Sequence, residues 1–229
     1  MASNYQLTYN VDITLVIDVT GSMTPIINTV KNNALNLYSD IVRKMEEKNK
    51  HIENLRIRVI SFRDYAADGE AAMDGSDFFL LPAQKDDLFD CIHSLTAAGG
   101  GDEPENGLEA LAYAIRSDWN KEGIKKRHII VVWSDASTHP LGNGNHAPNY
   151  PAGMPKTFQD LTLWWGDLAS QGEYMDQRSK RLLLFTPNAA GWDRIINEWD
   201  NIVHVPSASG TGLRDVDYDT ILSSVANSI

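Results

Sequence analysis

Three short segments of the sequence bring together carboxylate and hydroxyl side chains that could bind a metal ion. The first contains Asp18, Thr20 and Ser22, whose alternate spacing allows one turning loop to direct three side chains at a single point. The second is the acidic turn 102–105, and the third contains Asp135. Oxygen ligands without histidine or cysteine suit Mg²⁺, Mn²⁺ or Ca²⁺. These residue types therefore predict a site for a divalent cation.

The elements that precede these segments are predicted to place them at one edge of a sheet. The apolar run 11–17 ends at Asp18, and the continuous apolar run 128–133 ends just before Ser134 and Asp135. Strand and helix patterns alternate along the chain, which is typical of a doubly wound α/β fold. In such sheets, ligands bind beyond the carboxyl ends of the strands. We therefore predict a Rossmann-like α/β fold with the site at that edge.

The predicted sheet is mostly parallel, has about six strands and is flanked by helices on both faces. Its other strand patterns are 55–62, 182–185 and 202–205, with 78–81 as one short antiparallel edge strand. Apolar residues at three- and four-residue spacing predict one buried helical face from Ile26 to Met45. Further helices are predicted near 86–94, 108–115, 157–177, 192–199 and 218–229.

Composition limits the classes of partner and compartment. The chain has 229 residues, with 20 Lys and Arg against 31 Asp and Glu, so its formal net charge is −11. This balance argues against binding to nucleic acid or to an anionic membrane surface. The single Cys91 excludes an internal disulfide framework, and no secretory signal or membrane-spanning run is evident. We expect a cytoplasmic protein in which residues 1–229 form one domain, with a core at about 10–229.

The run from Asp18 to Ser22 resembles the Asp-x-Ser/Thr-x-Ser signature of von Willebrand factor type A domains. The order of elements from about residue 10 to 229 is also similar to that of this family, and Asp135 matches its later metal-site aspartate. The resemblance implies a metal-ion-dependent adhesion site for Mg²⁺, with Mn²⁺ or Ca²⁺ as substitutes. In such a site Thr20 and Ser22 would bind the metal directly, and Asp18 and Asp135 would act mostly through ordered water.

The middle loop offers two candidates for one further metal ligand. Many members of the family supply a threonine from this loop, whereas here the loop is acidic and contains none. Spacing to Gly107 puts Asp102 at the threonine position, whereas the Asp-x-Pro-Glu pattern favours Glu105 as the carboxylate that reaches the metal. Both residues are kept as candidate ligands, and no catalytic or other cofactor-binding residue is assigned.

A narrower resemblance concerns segments 62–65, 99–105 and 135–139, which are similar to von Willebrand domains linked to α-kinases and to their bacterial relatives. Those domains are intracellular. The resemblance implies a non-enzymatic module that docks a partner protein at the metal, where an acidic side chain of the partner completes the coordination. Three ionised carboxylates would surround one dication here. We therefore expect firm metal binding and a weaker attraction for the partner's carboxylate.

Two other functions compete with this interpretation. A metal-dependent hydrolase of phosphate esters would need a base or nucleophile near the metal, for which Asp18 and His139 are the candidates. A structural subunit with a vestigial site would bind no cation. The sequence leaves the oligomeric state open.

We make two further predictions, about Asp64 and about the segment after Asp135. Asp64 follows the second predicted strand, and two interpretations stay open for it: a surface charge, which is the favoured expectation, or a side chain that supports the metal ligands. Residues 136–156 are rich in Gly, Asn and Pro and begin directly after Asp135, so they are expected to form a long loop that shapes a partner-binding rim.

Overall fold

A computed structural model describes residues 7–101, 103–166 and 172–229, and these ranges contain one seven-stranded sheet. The strands are β1 (Leu7–Asp18), β2 (Lys50–Phe62), β3 (Met73–Gly75), β4 (Phe79–Leu81), β5 (Lys126–Trp133), β6 (Lys180–Thr186) and β7 (Ile202–Pro206). Their order is β3-β2-β1-β5-β6-β7, with β4 also paired to β2. All neighbouring pairs among β1, β2, β5, β6 and β7 are parallel, which confirms the predicted fold class.

The sheet differs from the prediction at one edge. Two short antiparallel strands pair with β2, rather than one: β4 with residues 55–57 and β3 with residues 60–62. The sequence pattern identified β4 but missed β3. That strand has only three residues, Met73-Asp74-Gly75, and they show neither an apolar run nor the alternation that marks a strand.

The register of β1 fixes the relative height of the strand ends. At the end of β1, Asp18 pairs with Phe62 of β2, and Ile17 pairs with Trp133 of β5. These three strands therefore end at the same level, and the segments that follow them emerge side by side. Every residue from Val11 to Asp18 is buried, as expected for a central strand covered on both faces.

Helices cover both faces of this sheet. They are α1 (Thr24–Asn33), α2 (Leu37–Glu46), α3 (Tyr65–Asp68), α4 (Lys85–Ser94), α5 (Gly107–Ile115), α6 (Phe158–Trp165), α7 (Trp192–Glu198) and α8 (Tyr218–Ser228). Helices α1, α2, α4 and α8 pack on one face, where β1 presents Ile13, Leu15 and Ile17. Helices α5, α6 and α7 pack on the other, where β1 presents Val16. Within the described ranges, no helix has both the length and the apolar character needed to cross a bilayer.

The helix predicted from Ile26 to Met45 is two helices, α1 and α2, separated by a turn at 34–36. The buried face is as predicted, because Ile26, Val30, Ile41 and Met45 all lie in the core. The interruption falls in the segment 32–36, which contains three asparagines, and asparagine has a low helix propensity. The apolar spacing continues across the turn, so periodicity alone could not reveal it.

The helix predicted over 157–177 ends early. Helix α6 stops at Trp165, and Gly166 has a φ of 77°, a left-handed conformation that suits glycine and ends the helix. The buried ammonium of Lys180 donates to the carbonyls of Trp165 (3.0 Å) and Gly166 (2.8 Å). It also lies 2.8 Å from the carboxylate of Asp200. Residues 172–177 contain no helix, and 167–171 lie outside the described residues.

We predict that Lys180→Met destabilises the fold, because it leaves Asp200 and the two carbonyls at the end of α6 without their shared donor. Removing one partner of a buried ion pair costs about 3–5 kcal/mol in free energy of unfolding. Urea denaturation would measure the loss. The matched control is Lys44→Met, whose partner Asp219 has a side chain that is 78% exposed, so a loss of only about 1 kcal/mol or less is expected. Equal losses in the two variants would contradict this role for Lys180.

Candidate functional site

Asp18 occupies the centre of the strand-end face and is fully buried. Its Oδ1 accepts hydrogen bonds from the backbone N–H of Thr20 (2.9 Å) and from the Thr20 hydroxyl (2.6 Å). Its Oδ2 accepts from the hydroxyl of Ser134 at 2.7 Å. Both carboxylate oxygens are thus held by groups from the ends of two neighbouring strands, which fixes the orientation of this side chain.

Ser22 and Asp135 continue the same hydrogen-bonded network. The Ser22 hydroxyl donates to Oδ1 of Asp135 at 2.9 Å and lies 3.5 Å from the hydroxyl oxygen of Thr20. The other oxygen of Asp135 accepts the backbone N–H of Gly212 at 2.7 Å. Thr20 and Ser22 both donate their hydrogens to carboxylates, so the lone pairs of both hydroxyl oxygens are free for another partner. Two oxygens on one octahedral Mg²⁺ lie about 3 Å apart, close to the separation found here.

Glu105 approaches this network from the segment before α5. Its backbone N–H donates to Ser137 (3.0 Å), and its carbonyl accepts the N–H of His139 (2.8 Å), so the segment is anchored beside the end of β5. The side chain is only 4% exposed. Its Oε2 is buried and has no hydrogen-bond partner in the described structure. A buried carboxylate oxygen without a partner is costly.

The glycine turn 99–101 brings the backbone against these side chains. Gly100 has a φ of 94°, and a Cβ at this position would meet the Cγ2 of Thr20 at 2.5 Å and the Oε1 of Glu105 at 2.7 Å. Thr20 and Glu105 therefore face the same point. Gly100 is required here both for its left-handed conformation and for the space. Its N–H donates to Asp68 at 2.9 Å, which holds the turn in place.

Burial and neighbouring carboxylates raise the pKa of two carboxyl groups at the site, those of Glu105 and Asp18. Burial, followed by the charges of Asp18, Asp64, Asp68 and Asp135, raises the pKa of Glu105 to about 9. Burial raises the pKa of Asp18 to about 6, although its hydrogen bonds act in the opposite direction. A cation at this point would favour the ionised forms and satisfy the unpartnered oxygen of Glu105, so the donor set fits a divalent cation.

Five of the six predicted metal ligands belong to the described residues, and these five lie together. Asp18, Thr20, Ser22, Glu105 and Asp135 all lie at the strand-end face. Asp102 lies outside the described residues, so the structure places only one of the two alternative ligands. Among described residues, no group of three His, Cys, Asp or Glu side chains is arranged to hold a metal by itself. A cation here would therefore depend on the hydroxyl oxygens of Thr20 and Ser22.

The expectation that Asp64 is a surface charge is wrong. Asp64 is 6% exposed, accepts the N–H of Ala66 (3.0 Å) at the start of α3, and lies 3.5 Å from Nε2 of His139. An aspartate before a helix is a capping signal, but α3 has only four residues and gives no periodic pattern. The backbone N–H of Gly212 was also missed, because it comes from the loop before α8 and carries no side-chain signal.

Residues 136–156 have no helix or strand element and pack against the domain. Gly144 is buried against Tyr65, and Gly142 donates its N–H to the buried carboxylate of Glu109 at 2.8 Å. The base of the segment holds the backbone of Glu105, as described above. The loop therefore helps to position the candidate site, and its role as a partner-binding rim stays a prediction.

Comparisons with known proteins agree with this fold. The profile of a family described as the von Willebrand factor A domain matches residues 12–139. An ariadne-like RING finger protein of Acanthamoeba polyphaga mimivirus is 32% identical over 134 residues, which cover 58% of this chain and 12% of that protein. The alpha-protein kinase vwkA of Dictyostelium discoideum is 25% identical over 147 residues, which cover 63% of this chain and 21% of the kinase. The predicted likeness to α-kinase-linked domains is confirmed.

A solved structure shares the architecture. The pilus adhesin SpaC of Lactobacillus rhamnosus GG aligns with 95% of this chain and 30% of its own chain, with a TM-score of 0.51 and 12% identity. At this identity the likeness concerns the fold alone. The chain thus corresponds to about an eighth and a fifth of the lengths of the two curated relatives, and to under a third of the adhesin.

We predict that metal-free protein becomes less stable as pH rises from 6 to 9. Burial and neighbouring carboxylates raise the pKa of Glu105 to about 9 in the fold from its ordinary value of 4.5, so the folded state binds the additional proton in this window and loses that advantage as pH rises. Thermal melts in EDTA across this range would measure the trend. Glu105→Gln should flatten it, whereas Glu103→Gln, at an exposed position in the same turn, should not. Parallel curves for wild type and Glu105→Gln would contradict the assignment.

Proposed function

Because the chain belongs to the von Willebrand factor A domain family, we propose that it is a non-enzymatic interaction module that binds a divalent cation at its strand-end face and docks a partner protein there. The observation that carries the proposal is the buried, unpartnered Oε2 of Glu105, which belongs to a carboxylate facing the same point as Thr20. A cation is the partner that would satisfy this oxygen without adding a further negative charge.

The side chains of the site would contribute to metal binding in different ways. Thr20 and Ser22 would bind it through hydroxyl oxygens whose hydrogens are already donated to carboxylates. Glu105 would supply a charged oxygen, and Asp18 and Asp135 would orient the hydroxyls and add negative charge. Mg²⁺ is the proposed ion, with Mn²⁺ and Ca²⁺ as alternatives, because all ligands are oxygen atoms.

The bound cation would supply an electrophilic position that accepts an acidic side chain of the partner. Three carboxylates, those of Asp18, Glu105 and Asp135, lie around the site and would offset more than the two positive charges of the ion. We therefore propose that the metal is held firmly and that it attracts the partner's carboxylate only weakly. Additional contacts from the surrounding surface would then be needed for docking.

The hydrolase alternative has less support. Both oxygens of Asp18 accept hydrogen bonds, from Thr20 and Ser134, which makes this carboxylate a poor nucleophile. The Nε2 of His139 faces Asp64 at 3.5 Å rather than the hydroxyls of the site. These contacts favour the docking proposal over hydrolysis by either candidate residue.

The cellular setting is part of the proposal. We place the module in the cytoplasm, which the single cysteine supports, since an oxidising compartment favours paired cysteines. The curated relatives are much longer than the aligned segments. Their kinase and RING finger names therefore describe those whole proteins and are not transferred to this chain.

Calorimetry with Mg²⁺, Mn²⁺ and Ca²⁺ tests the metal. We predict measurable binding by wild type and at least a tenfold loss of affinity in Ser22→Ala, which lacks one hydroxyl ligand. Ser39→Ala, at an exposed position of α2, is the matched control and should bind like wild type. The melting temperature should rise with Mg²⁺ in wild type, because a ligand that binds only the folded state stabilises it. No binding by wild type at millimolar concentration would refute the proposal.

Affinity capture from the native cell extract tests docking. Wild type should retain a specific protein in Mg²⁺ and release it in EDTA, and Ser22→Ala should retain little of it in either buffer. The Ser39→Ala variant should behave like wild type. Equal retention of that protein by wild type and Ser22→Ala would show that docking does not use the metal.

A further inference from the structure

A groove of about 460 Å³ lies beside the candidate metal site. One wall follows the end of β5, and another is formed by the segment after β6. Its described lining includes Leu108, Ser137, Leu141, Lys156, Phe158 and Arg194. The groove adjoins the site directly, because Ser137 lines it and accepts the backbone N–H of Glu105 at 3.0 Å.

The charge of this groove is opposite to that of the chain as a whole. Lys156, Arg194 and His139 line it, and none of its described lining residues is Asp or Glu, whereas the net charge of the chain is −11. Lys156 is exposed, and its ammonium has no hydrogen bond or ion pair among the described residues. The guanidinium of Arg194 bonds to Glu198 (3.1 Å), but that pair is half exposed, so the cation remains accessible to a partner.

Apolar surface accompanies these cations. Leu108 is nearly buried, Leu141 and Phe158 are partly exposed, and the guanidinium of Arg194 lies 3.9 Å from the centre of the Phe158 ring. Stacking on the ring holds the guanidinium over the apolar surface. An apolar surface edged by cations matches a ligand that combines an apolar side chain with carboxylates.

We propose that this groove receives an acidic peptide segment of the partner protein, whose apolar side chain packs on Leu108, Leu141 and Phe158 while a carboxylate pairs with Lys156 or Arg194. The inference rests on the proposed function, because it takes docking at the strand-end face as its starting point. It also supplies the additional contacts that the weak attraction at a carboxylate-rich metal requires. Elsewhere the negative surface would repel an acidic segment, so the groove also determines where the segment binds.

The test is selection of a random peptide library displayed on phage against the full chain in Mg²⁺. We expect enrichment of sequences that combine Asp or Glu with an aromatic or aliphatic residue. A fluorescent synthetic copy of the best sequence is then titrated against a double variant, Lys156→Gln with Arg194→Gln. Affinity should fall at least tenfold, and a copy of the peptide with amides in place of its carboxylates should bind equally weakly to wild type.

The matched control is Lys125→Gln with Arg178→Gln, which removes two exposed positive charges near the amino ends of β5 and β6. This variant should bind like wild type. Loss of affinity in both double variants, enrichment of peptides without acidic residues, or no enrichment at all would overturn the inference. Melting temperatures of both variants show whether each is folded.

These experiments distinguish a failure of the metal proposal from a failure of the groove proposal. Peptide binding that survives EDTA but is lost in the Lys156→Gln, Arg194→Gln variant supports the groove and contradicts the role of the metal. Peptide binding that is abolished by EDTA but unchanged in that variant supports the metal and refutes the groove.

Discussion

The parallel pairing of β1 with β2 and β5 is the constraint on which the site depends. Asp18 pairs with Phe62, and Ile17 pairs with Trp133, so these three strands end at one level. The segments that follow them therefore begin next to one another. A shift of one residue in either pairing would turn the inward residues of β1 to the opposite face. The apolar contacts of Ile13, Leu15 and Ile17 oppose such a shift, so the same packing that stabilises the core also positions the polar residues.

Buried carboxylates gathered at this point make the site electrostatically unfavourable in the absence of a cation. Asp18 and Glu105 are held in place by their surroundings although burial and mutual repulsion favour their neutral forms. Hydrogen bonds from Thr20, Ser134 and Gly212 fix the orientation of Asp18 and Asp135 but leave Glu105 uncompensated. The favourable interactions of the rest of the fold therefore offset the cost of holding these carboxylates together.

The sequence predicted the architecture, and it predicted that most of the candidate site residues lie together, because both depend on strong local patterns. Continuous apolar runs identified the central strands. Asp18 is the last residue of β1, and Thr20 and Ser22 follow directly after it, as the pattern predicted. What escaped prediction has no local signal. The break between α1 and α2 occurs within an uninterrupted apolar spacing, and the burial of Asp64 depends on a helix of four residues. The N–H of Gly212 reaches Asp135 from 77 residues away in sequence.

The close approach of the backbone at Gly100 has a consequence for comparing related sequences. A Cβ at this position would occupy the space between Thr20 and Glu105, although Gly100 itself contributes no side chain to the candidate site. A relative could therefore retain every aspartate, glutamate and hydroxyl of the signature and yet lack the space in which Thr20 and Glu105 face each other. To decide from sequence whether a relative can bring these side chains together, the glycine of this turn must be considered together with Thr20 and Glu105.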